Sequence, residues 1–167
     1  MPEEYDDPEG HEGLDEPPAF FPKEERPLAD EPVEVELLEV RVEGVFEDVS
    51  TGPSSKFVIL GDELGRKVPI SIGGFESLAI LEAMEGRRPD RPMTHDLIRN
   101  LVEKLGANLE RVAIDDLWNT VYYAKLVLST EADDEEMLID ARPSDAIALA
   151  LRFNAPIYMS NAILDQE

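Results

Sequence analysis

Two short segments place a proline, an arginine and an aspartate immediately before an apolar run. They are Arg-Pro-Met-Thr-His-Asp-Leu at 91–97 and Ala-Arg-Pro-Ser-Asp at 141–145, and the second precedes the apolar run 146–151. Proline suits the first turn of a helix, and an acidic residue there offsets the partial positive charge of the helix N-terminus. We predict that both segments begin buried helices and that their polar side chains form the functional site.

His95 is the residue of the first segment that helix capping does not explain. Thr94 is a good N-cap residue and Asp96 falls in the first turn, so both have a structural role that needs no chemistry. The other histidine of the chain, His11, lies in the acidic N-terminal segment. We therefore consider His95 a candidate for proton transfer, with a hydrogen-bonded structural histidine as the alternative.

Arginines are concentrated around the first segment, in a chain that is otherwise strongly acidic. Guanidinium groups beside a helix N-terminus form an arrangement that binds anions, phosphate above all. The candidate phosphate-binding residues here are Arg87, Arg88 and Arg91, with Arg99 close by.

The second segment carries charges at the beginning of a helix that is apolar almost all round. Partly buried charges must be paired or bound to a ligand, so Arg142 and Asp145 need partners. Arg142 could pair with Asp96 or Glu76, which would be a structural solution. The alternative is a metal or phosphate site shared by the two segments, and Arg142 then joins the phosphate-binding residues.

Carboxylates are the metal-binding groups that the sequence offers. With no cysteine, thiolate metal sites, disulfides and a cysteine nucleophile are excluded, and no P-loop motif is present. Oxygen ligands suit Mg²⁺ or Mn²⁺, for which Asp96 and Asp145 are our first candidates and Glu76 and Asp140 further ones.

The charge of the chain restricts its partners. The formal net charge is −23, which repels nucleic acid and anionic membranes at long range, so either partner would need a local exception. Residues 1–32 hold 12 acidic and 2 basic residues and 7 of the 13 prolines. We predict that 1–32 is a disordered acidic tail and that 33–167 is one folded domain.

The apolar pattern of residues 33–167 predicts an α+β fold, with one mixed sheet of about six to seven strands and three main helices. A change of phase predicts a bulge or break near Leu37–Leu38. The helix at 75–85 is apolar on most sides, so we predict that it is largely buried. The expected strands lie at 33–42, 56–60, 66–72, 109–116, 120–129, 136–140 and 156–159, and the expected helices at 75–85, 94–105 and 144–153, with a last helical turn from Ser160.

Two further observations concern location and aromatic residues. The N-terminus resembles no signal peptide and the longest apolar run is far too short to span a bilayer, so we expect a cytoplasmic protein without a membrane partner. Tyr122 and Tyr123, near Trp118, are candidates for stacking on bases. Since consecutive strand residues face opposite sides, at most one of the two tyrosines can join such a platform.

The segments, in their order along the chain, resemble the bifunctional nuclease family. The resemblance runs from about Leu38 to Leu164 and includes Val-Pro-Ile-Ser-Ile-Gly at 68–73, Glu76, the 91–97 segment, Tyr-Ala-Lys-Leu at 123–126, the 140–151 segment and Pro-Ile-Tyr at 156–158. It implies a compact α+β domain, a homo-oligomer and, as in some members, nuclease activity on RNA and DNA.

Two functions follow as hypotheses. The first is a metal-assisted phosphodiesterase with RNA or DNA as substrate, in which the arginines bind phosphate, carboxylates (Glu76, Asp96, Asp145) hold Mg²⁺ or Mn²⁺, and His95 transfers a proton. The second is a non-catalytic oligomeric binding or regulatory module, in which the same charges form structural ion pairs.

Overall fold

A computed structural model describes residues 35–49, 55–87, 89–130 and 133–166. The predicted tail 1–32, most of the turn predicted at 50–55 and Arg88 lie outside the described residues, so what was predicted for them stays a prediction. The elements are β1 (Leu37–Asp48), β2 (Ser55–Gly61), β3 (Lys67–Ile72), α1 (Gly74–Met84), α2 (Thr94–Lys104), β4 (Ala107–Trp118), β5 (Val121–Thr130), β6 (Asp133–Ala141), α3 (Pro143–Phe153), β7 (Ile157–Ser160) and α4 (Asn161–Leu164).

The described strands form one open mixed sheet, in the order β3-β2-β1-β7-β4-β5-β6. Neighbouring strands are antiparallel except β4 and β7, which are parallel. The predicted α+β class is therefore confirmed, with seven strands and three helices of three turns in the described part of the chain.

The core lies between one face of the sheet and the helices. Alternate residues of the strands point to it, which is why Val58 and Leu60, two positions apart on β2, are both fully buried. Seven residues of α3 are buried, so α3 is the central helix of the core. None of the described helices is long and apolar enough to cross a membrane.

The predicted burial of α1 is wrong. Its bounds agree with the prediction, but only Ser77 and Ile80 are buried, and Phe75 is 89% exposed. Apolar residues surround this helix, yet a helix lying on a sheet beside one neighbour can bury only one side. The remaining apolar side chains are left at the surface, where several of them line a cavity described below.

The irregularity of β1 also differs from the prediction. Strand structure begins at Leu37, and the shift in register lies between Val42 and Gly44, in the pairing with β2. The change of phase at 37–38 therefore marks the beginning of the strand, since Val35 and Glu36 lie outside it.

Strand β6 forms one edge of the sheet and is more apolar than an exposed edge usually is. Its residues Met137, Leu138 and Ile139 are all exposed. A subunit contact would cover such residues, but the homo-oligomer that the resemblance implies stays a prediction.

Candidate active site

The beginning of α3 is fixed by the core. Arg142 is the N-cap, with extended backbone at φ −67° and ψ 144°, and Pro143 occupies the first helical position. Proline is suited to that position because its missing N–H would have no partner within the helix. Since Pro143 and Ser144 are both buried, the backbone that carries Asp145 is held by packing. The predicted helix start is confirmed here.

Helix α2 begins at Thr94, as predicted, but its N-cap lies one residue earlier than predicted. Met93 is the N-cap and Thr94 is already helical, so the prediction of Thr94 as N-cap is wrong. The reason lies in Asp96, whose Oδ2 accepts a hydrogen bond from the Met93 N–H at 3.0 Å and so fixes Met93 as the boundary. Asp96 lies in the first turn, as predicted.

Asp96 is also joined to the far end of α3. Its Oδ1 accepts a hydrogen bond from Nε of Arg152 at 2.6 Å, and the Arg152 side chain is only 7% exposed. Nη1 of Arg152 donates to the carbonyl oxygens of Ala79 and Ala148 at 3.0 and 2.9 Å, so one side chain links α1, α2 and α3. Burial tends to raise the pKa of Asp96, but the bonds from Arg152 and Met93 outweigh it and hold that pKa below its usual value.

The two segments meet through His95 and Asp145. Nε2 of His95 lies 3.0 Å from Oδ1 of Asp145, although the residues are 50 positions apart. The His95 side chain is 12% exposed. The 91–97 and 141–145 segments are therefore in direct contact, as a site shared by the two would require.

Arg142 connects this pair to α1. Its Nε donates to Oδ2 of Asp145 at 2.7 Å, and its Nη2 donates to Oδ1 of the same residue at 3.2 Å. Its Nη1 donates to Oε1 of Glu76 at 3.1 Å. Of the two partners considered for Arg142, the structure selects Glu76. We call Glu76, Arg142, Asp145 and His95 the ionic cluster.

These bonds keep Asp145 ionised and determine which ring nitrogen of His95 donates to it. Burial tends to raise the pKa of Asp145, but the hydrogen bonds from Arg142 and His95 outweigh it and hold the pKa below its usual value. The bond to Asp145 in turn raises the pKa of Arg142. An ionised Asp145 can only accept, so Nε2 of His95 carries the proton. In the neutral ring Nδ1 is then an acceptor, which is the state a general base requires.

The absence of a side chain at Gly73 leaves space for the carboxylate of Glu76 in the ionic cluster. Glu76 lies in the first turn of α1, three residues after the N-cap Gly73. A side chain at Gly73 would collide with Oε2 of Glu76. Gly73 therefore leaves room for the carboxylate that Arg142 binds.

Two cavities adjoin the ionic cluster, one on each side of the Glu76–Arg142 pair. The smaller, of about 340 Å³, contains the chemical groups of the cluster together with apolar side chains. The larger, of about 590 Å³, is bounded by β2, β3, the tip of the β4–β5 hairpin and the beginning of α3. The lining of the smaller cavity includes His95, Asp145, Phe75, Leu78 and Met93 as well as Glu76 and Arg142.

Other predicted site residues lie apart from the ionic cluster. Arg87 forms an ion pair with Glu85, and Arg91 is exposed, and neither lines the two cavities. Asp140 is exposed on β6, paired in register with Lys125. The phosphate-binding roles of Arg87, Arg88 and Arg91 stay predictions.

Asp96 and Asp145, the first candidates for a metal site, do not offer free carboxylate oxygens to a divalent cation in this arrangement. Both oxygens of Asp145 accept hydrogen bonds from Arg142 or His95, and both oxygens of Asp96 accept from Arg152 or a backbone N–H. Mg²⁺ and Mn²⁺ need carboxylate oxygens that are not turned toward cations. Within the described ranges, no group of three or more His, Asp or Glu side chains is placed to hold a metal ion. The Mg²⁺ or Mn²⁺ requirement therefore stays a prediction, and no catalytic step below depends on it.

Sequence reasoning missed two residues that shape this site. Arg152 had no signal, because its partner Asp96 is 56 residues away in the sequence. Phe75 was assigned to the core, yet it stands exposed in the lining of the smaller cavity. An apolar residue at the first turn of a helix after Gly73-Gly74 was the available signal, and it was interpreted as burial.

Comparison with known proteins gives the family. The model of the bifunctional nuclease domain matches residues 58–167. An uncharacterised protein of Mycobacterium tuberculosis is 41% identical over 129 residues, which cover 77% of this chain and 74% of that protein. Bifunctional nuclease 2 of Arabidopsis thaliana is 30% identical over 110 residues, 65% of this chain and 33% of the plant protein. Bifunctional nuclease 1 of Oryza sativa subsp. japonica is 30% identical over 97 residues, 58% of this chain and 29% of the plant protein. The ionic cluster lies wholly within the segment that the family model matches, and the chain belongs to the bifunctional nuclease domain family.

Proposed function

We propose that this protein is a nuclease that hydrolyses phosphodiester bonds of RNA or DNA at the ionic cluster. The observation that carries the proposal is the contact of His95 with Asp145, beside Arg142, in the lining of the smaller cavity. The names of the plant relatives support the reaction class. Phosphodiester hydrolysis needs a group that takes a proton from water and a cation that binds the phosphate, and the cluster has both.

Arg142 is the candidate phosphate ligand. Guanidinium carries five N–H donors, of which the bonds to Asp145 and Glu76 use three, so two remain for a phosphate oxygen. The Arg142 side chain is 65% exposed and can be reached from solvent. Glu76 and Asp145 hold the guanidinium from two sides, which fixes its orientation before substrate arrives.

His95 is the candidate general base. Asp145 holds Nε2–H, so Nδ1 can take the proton of a water molecule while the water oxygen forms a bond to phosphorus. The bond from phosphorus to the leaving oxygen breaks, and that oxygen takes a proton from solvent. Asp145 stabilises the imidazolium that forms, in the way a carboxylate supports a catalytic histidine in other hydrolases.

A non-catalytic binding module is the second candidate. The observation that favours it is the closure of the ion pairs, because each charged group of the ionic cluster already has a partner within the protein. Ion pairs that satisfy one another are typical of structural roles.

The experiment compares purified wild type with His95→Gln on labelled single-stranded RNA and DNA. We expect the variant to cleave at least about 100-fold more slowly, the usual contribution of a general base, while its circular dichroism spectrum remains that of the folded protein. Glu103→Gln is the matched control, since Glu103 lies on the same helix, forms an ion pair with Arg99 and is not in the lining of either cavity. Equal cleavage by wild type and His95→Gln would refute the assignment of His95.

The same assay separates the remaining possibilities. Cleavage that persists in EDTA would remove the prediction of Mg²⁺ or Mn²⁺. If the wild type cleaves neither substrate with or without these ions, while Arg142→Ala lowers the melting temperature, the binding module is the better description.

A further inference from the structure

The larger cavity differs in chemistry from the smaller one. Besides Glu76 and Arg142, which both cavities share, it contains mostly apolar and aromatic groups and a few hydroxyls. Its volume of about 590 Å³ falls in the range of small-molecule sites. Its lining includes Phe57, Pro69, Ile72, Leu117 and Tyr122, with the hydroxyl-bearing residues Ser71, Thr120 and Ser144.

Two aromatic side chains of this lining come from separate hairpins. Phe57 is on β2, whereas Tyr122 is on β5, next to the tip of the β4–β5 hairpin. Of the two consecutive tyrosines, only Tyr122 lines the cavity, and Tyr123 is paired in register with Asp116. Because consecutive strand residues face opposite sides, only one of the two tyrosines can stack on a base in this cavity, and that residue is Tyr122.

The hairpin tip holds Tyr122 at a fixed position. Asn119 and Thr120 connect β4 to β5 with φ of 47° and 65°. Two residues with positive φ form the tight turn that suits the twist of an antiparallel hairpin. For Thr120, a β-branched residue, this left-handed backbone is strained, and strained residues of this kind are concentrated at functional sites.

The charge of the protein determines how it can hold a nucleic acid strand. With a net charge of −23, the protein repels the phosphates of a strand at long range, and Arg142 is the cation in the lining of this cavity that offsets the repulsion. Binding must therefore draw on the bases. A base stacked on an aromatic side chain contributes without any charge, and every base has a face that can stack.

We propose that the larger cavity is a nucleobase subsite, in which Phe57 and Tyr122 stack on the base next to the phosphate at Arg142. The inference rests on the proposed function, because it names how the substrate of the same site is held. The base must leave its own stack to enter the cavity, so single-stranded RNA or DNA is the substrate class. Ser71, Thr120 and Ser144 supply hydroxyls for the edge of the base.

The experiment measures binding and not cleavage. All variants are made in the His95→Gln background, and fluorescence anisotropy reports binding of a labelled single-stranded oligonucleotide and of an abasic strand with the same number of phosphates. We expect Tyr122→Leu to weaken binding of the normal strand about 10-fold and Tyr122→Phe to retain it, because only the ring is needed for stacking. Tyr123→Leu is the matched control and should change binding by less than about 2-fold.

The abasic strand completes a double-mutant cycle. It should bind the parent about 10-fold more weakly than the normal strand does, and Tyr122→Leu should then cause no further loss. Equal loss in Tyr122→Leu and Tyr123→Leu, or equal binding of normal and abasic strands, would overturn the subsite. If Tyr122→Leu does not fold, Phe57→Leu and the abasic strand decide the question in its place. An inactive wild type that still shows this binding pattern would refute the nuclease and leave the subsite standing.

Discussion

Helices α2 and α3 are the same length and begin with similar segments, yet they are packed in opposite ways. Seven of the eleven residues of α3 are buried, whereas α2 has no buried residue, so the prediction that both segments begin buried helices is confirmed for α3 and wrong for α2. One side of α2, together with its C-cap residue Leu105, even presents a stripe of exposed leucines that includes Leu97 and Leu101. Each helix nevertheless contributes one partner to the His95–Asp145 contact.

The difference shows how the two halves of the site are held. Asp145 is positioned by the packing of α3, which is non-directional and shared among many residues. His95 is on a surface helix that contacts the core through the partly buried Ile98 and Val102. Two polar bonds hold this helix as well, from Arg152 to Asp96 and from His95 to Asp145. The proposed general base is therefore on the less buried of the two helices, and the carboxylate proposed to orient it is on the more buried one.

The largest expected effect on stability comes from truncating one aliphatic side chain of the same size on each helix. Ile147→Ala should lower the free energy of unfolding by about 2–5 kcal/mol, because Ile147 is fully buried and the change leaves a cavity. Leu101→Ala, its counterpart on α2, should cost less than about 1 kcal/mol because Leu101 is 53% exposed. Urea denaturation followed by circular dichroism measures both.

Equal losses in the two variants would break the comparison. That result would mean that the leucine stripe of α2 is covered in solution, as it would be in a homo-oligomer. Sedimentation of the same samples would then show whether Leu101→Ala also dissociates the protein.

The second prediction removes the bond that joins the two helices. Arg152→Met keeps the apolar part of the side chain but leaves Asp96 without its cation and removes the side-chain donor to two helical carbonyl oxygens. We expect a loss of about 2–4 kcal/mol, since breaking a buried pair leaves one charge uncompensated. Hydrogen exchange should accelerate in α2 more than in α3, and uniform acceleration in both helices would contradict the comparison.

The loss of stability in Arg152→Met should be larger at neutral pH than in acid. The pKa of Asp96 is lowered in the folded protein, so its contribution to stability is present above the unfolded value of about 3.9 and disappears as the pH falls. Wild type and Arg152→Met should therefore differ most near neutral pH and converge in acid. A difference that stays constant from neutral pH into acid would show that Asp96 is not the partner that matters. Asp96→Asn with Arg152 retained is the control.

The elements of the fold could be predicted because they follow from local periodicity. The three main helices and the strands from β2 to β7 lie close to their predicted positions, since the alternation of apolar residues is preserved within each element. Burial of α1 could not be predicted in the same way. Apolar residues such as Phe75 and Leu78 can face a core or an open cavity, and only the placement of the neighbouring elements decides between the two.

The site residues that lie at the beginning of a helix could be predicted from the sequence. Proline and aspartate in the first turn mark those starts, so Asp96 and Asp145 were found, and Arg142 followed because its charge needed a partner. The bond from Arg152 to Asp96 connects two helices over a long sequence separation and leaves no local pattern. The N-cap was misplaced for a related reason, because the capping rule favours a hydroxyl at Thr94, whereas the bond from Asp96 to the Met93 N–H sets the boundary.

The smallest expected effect concerns that N-cap and tests the comparison at the helix starts themselves. The thioether sulfur of Met93 is only a weak acceptor, so Met93→Ser should stabilise the protein by about 0.5–1 kcal/mol by offering a backbone N–H of the first turn a hydroxyl oxygen. Arg142→Ser, at the corresponding position of α3, should instead destabilise, because it removes the bonds to Glu76 and Asp145. Met93→Ala is the control for loss of the methionine side chain, and thermal melts at neutral pH measure all three variants. If Met93→Ser raises and Arg142→Ser lowers the melting temperature, the N-cap of α2 can still be improved by a hydroxyl. The N-cap residue of α3 then contributes more through its ion pairs than a capping hydroxyl would. If both serine variants stabilise, the ion pairs of Arg142 contribute less to folding than a simple N-cap does.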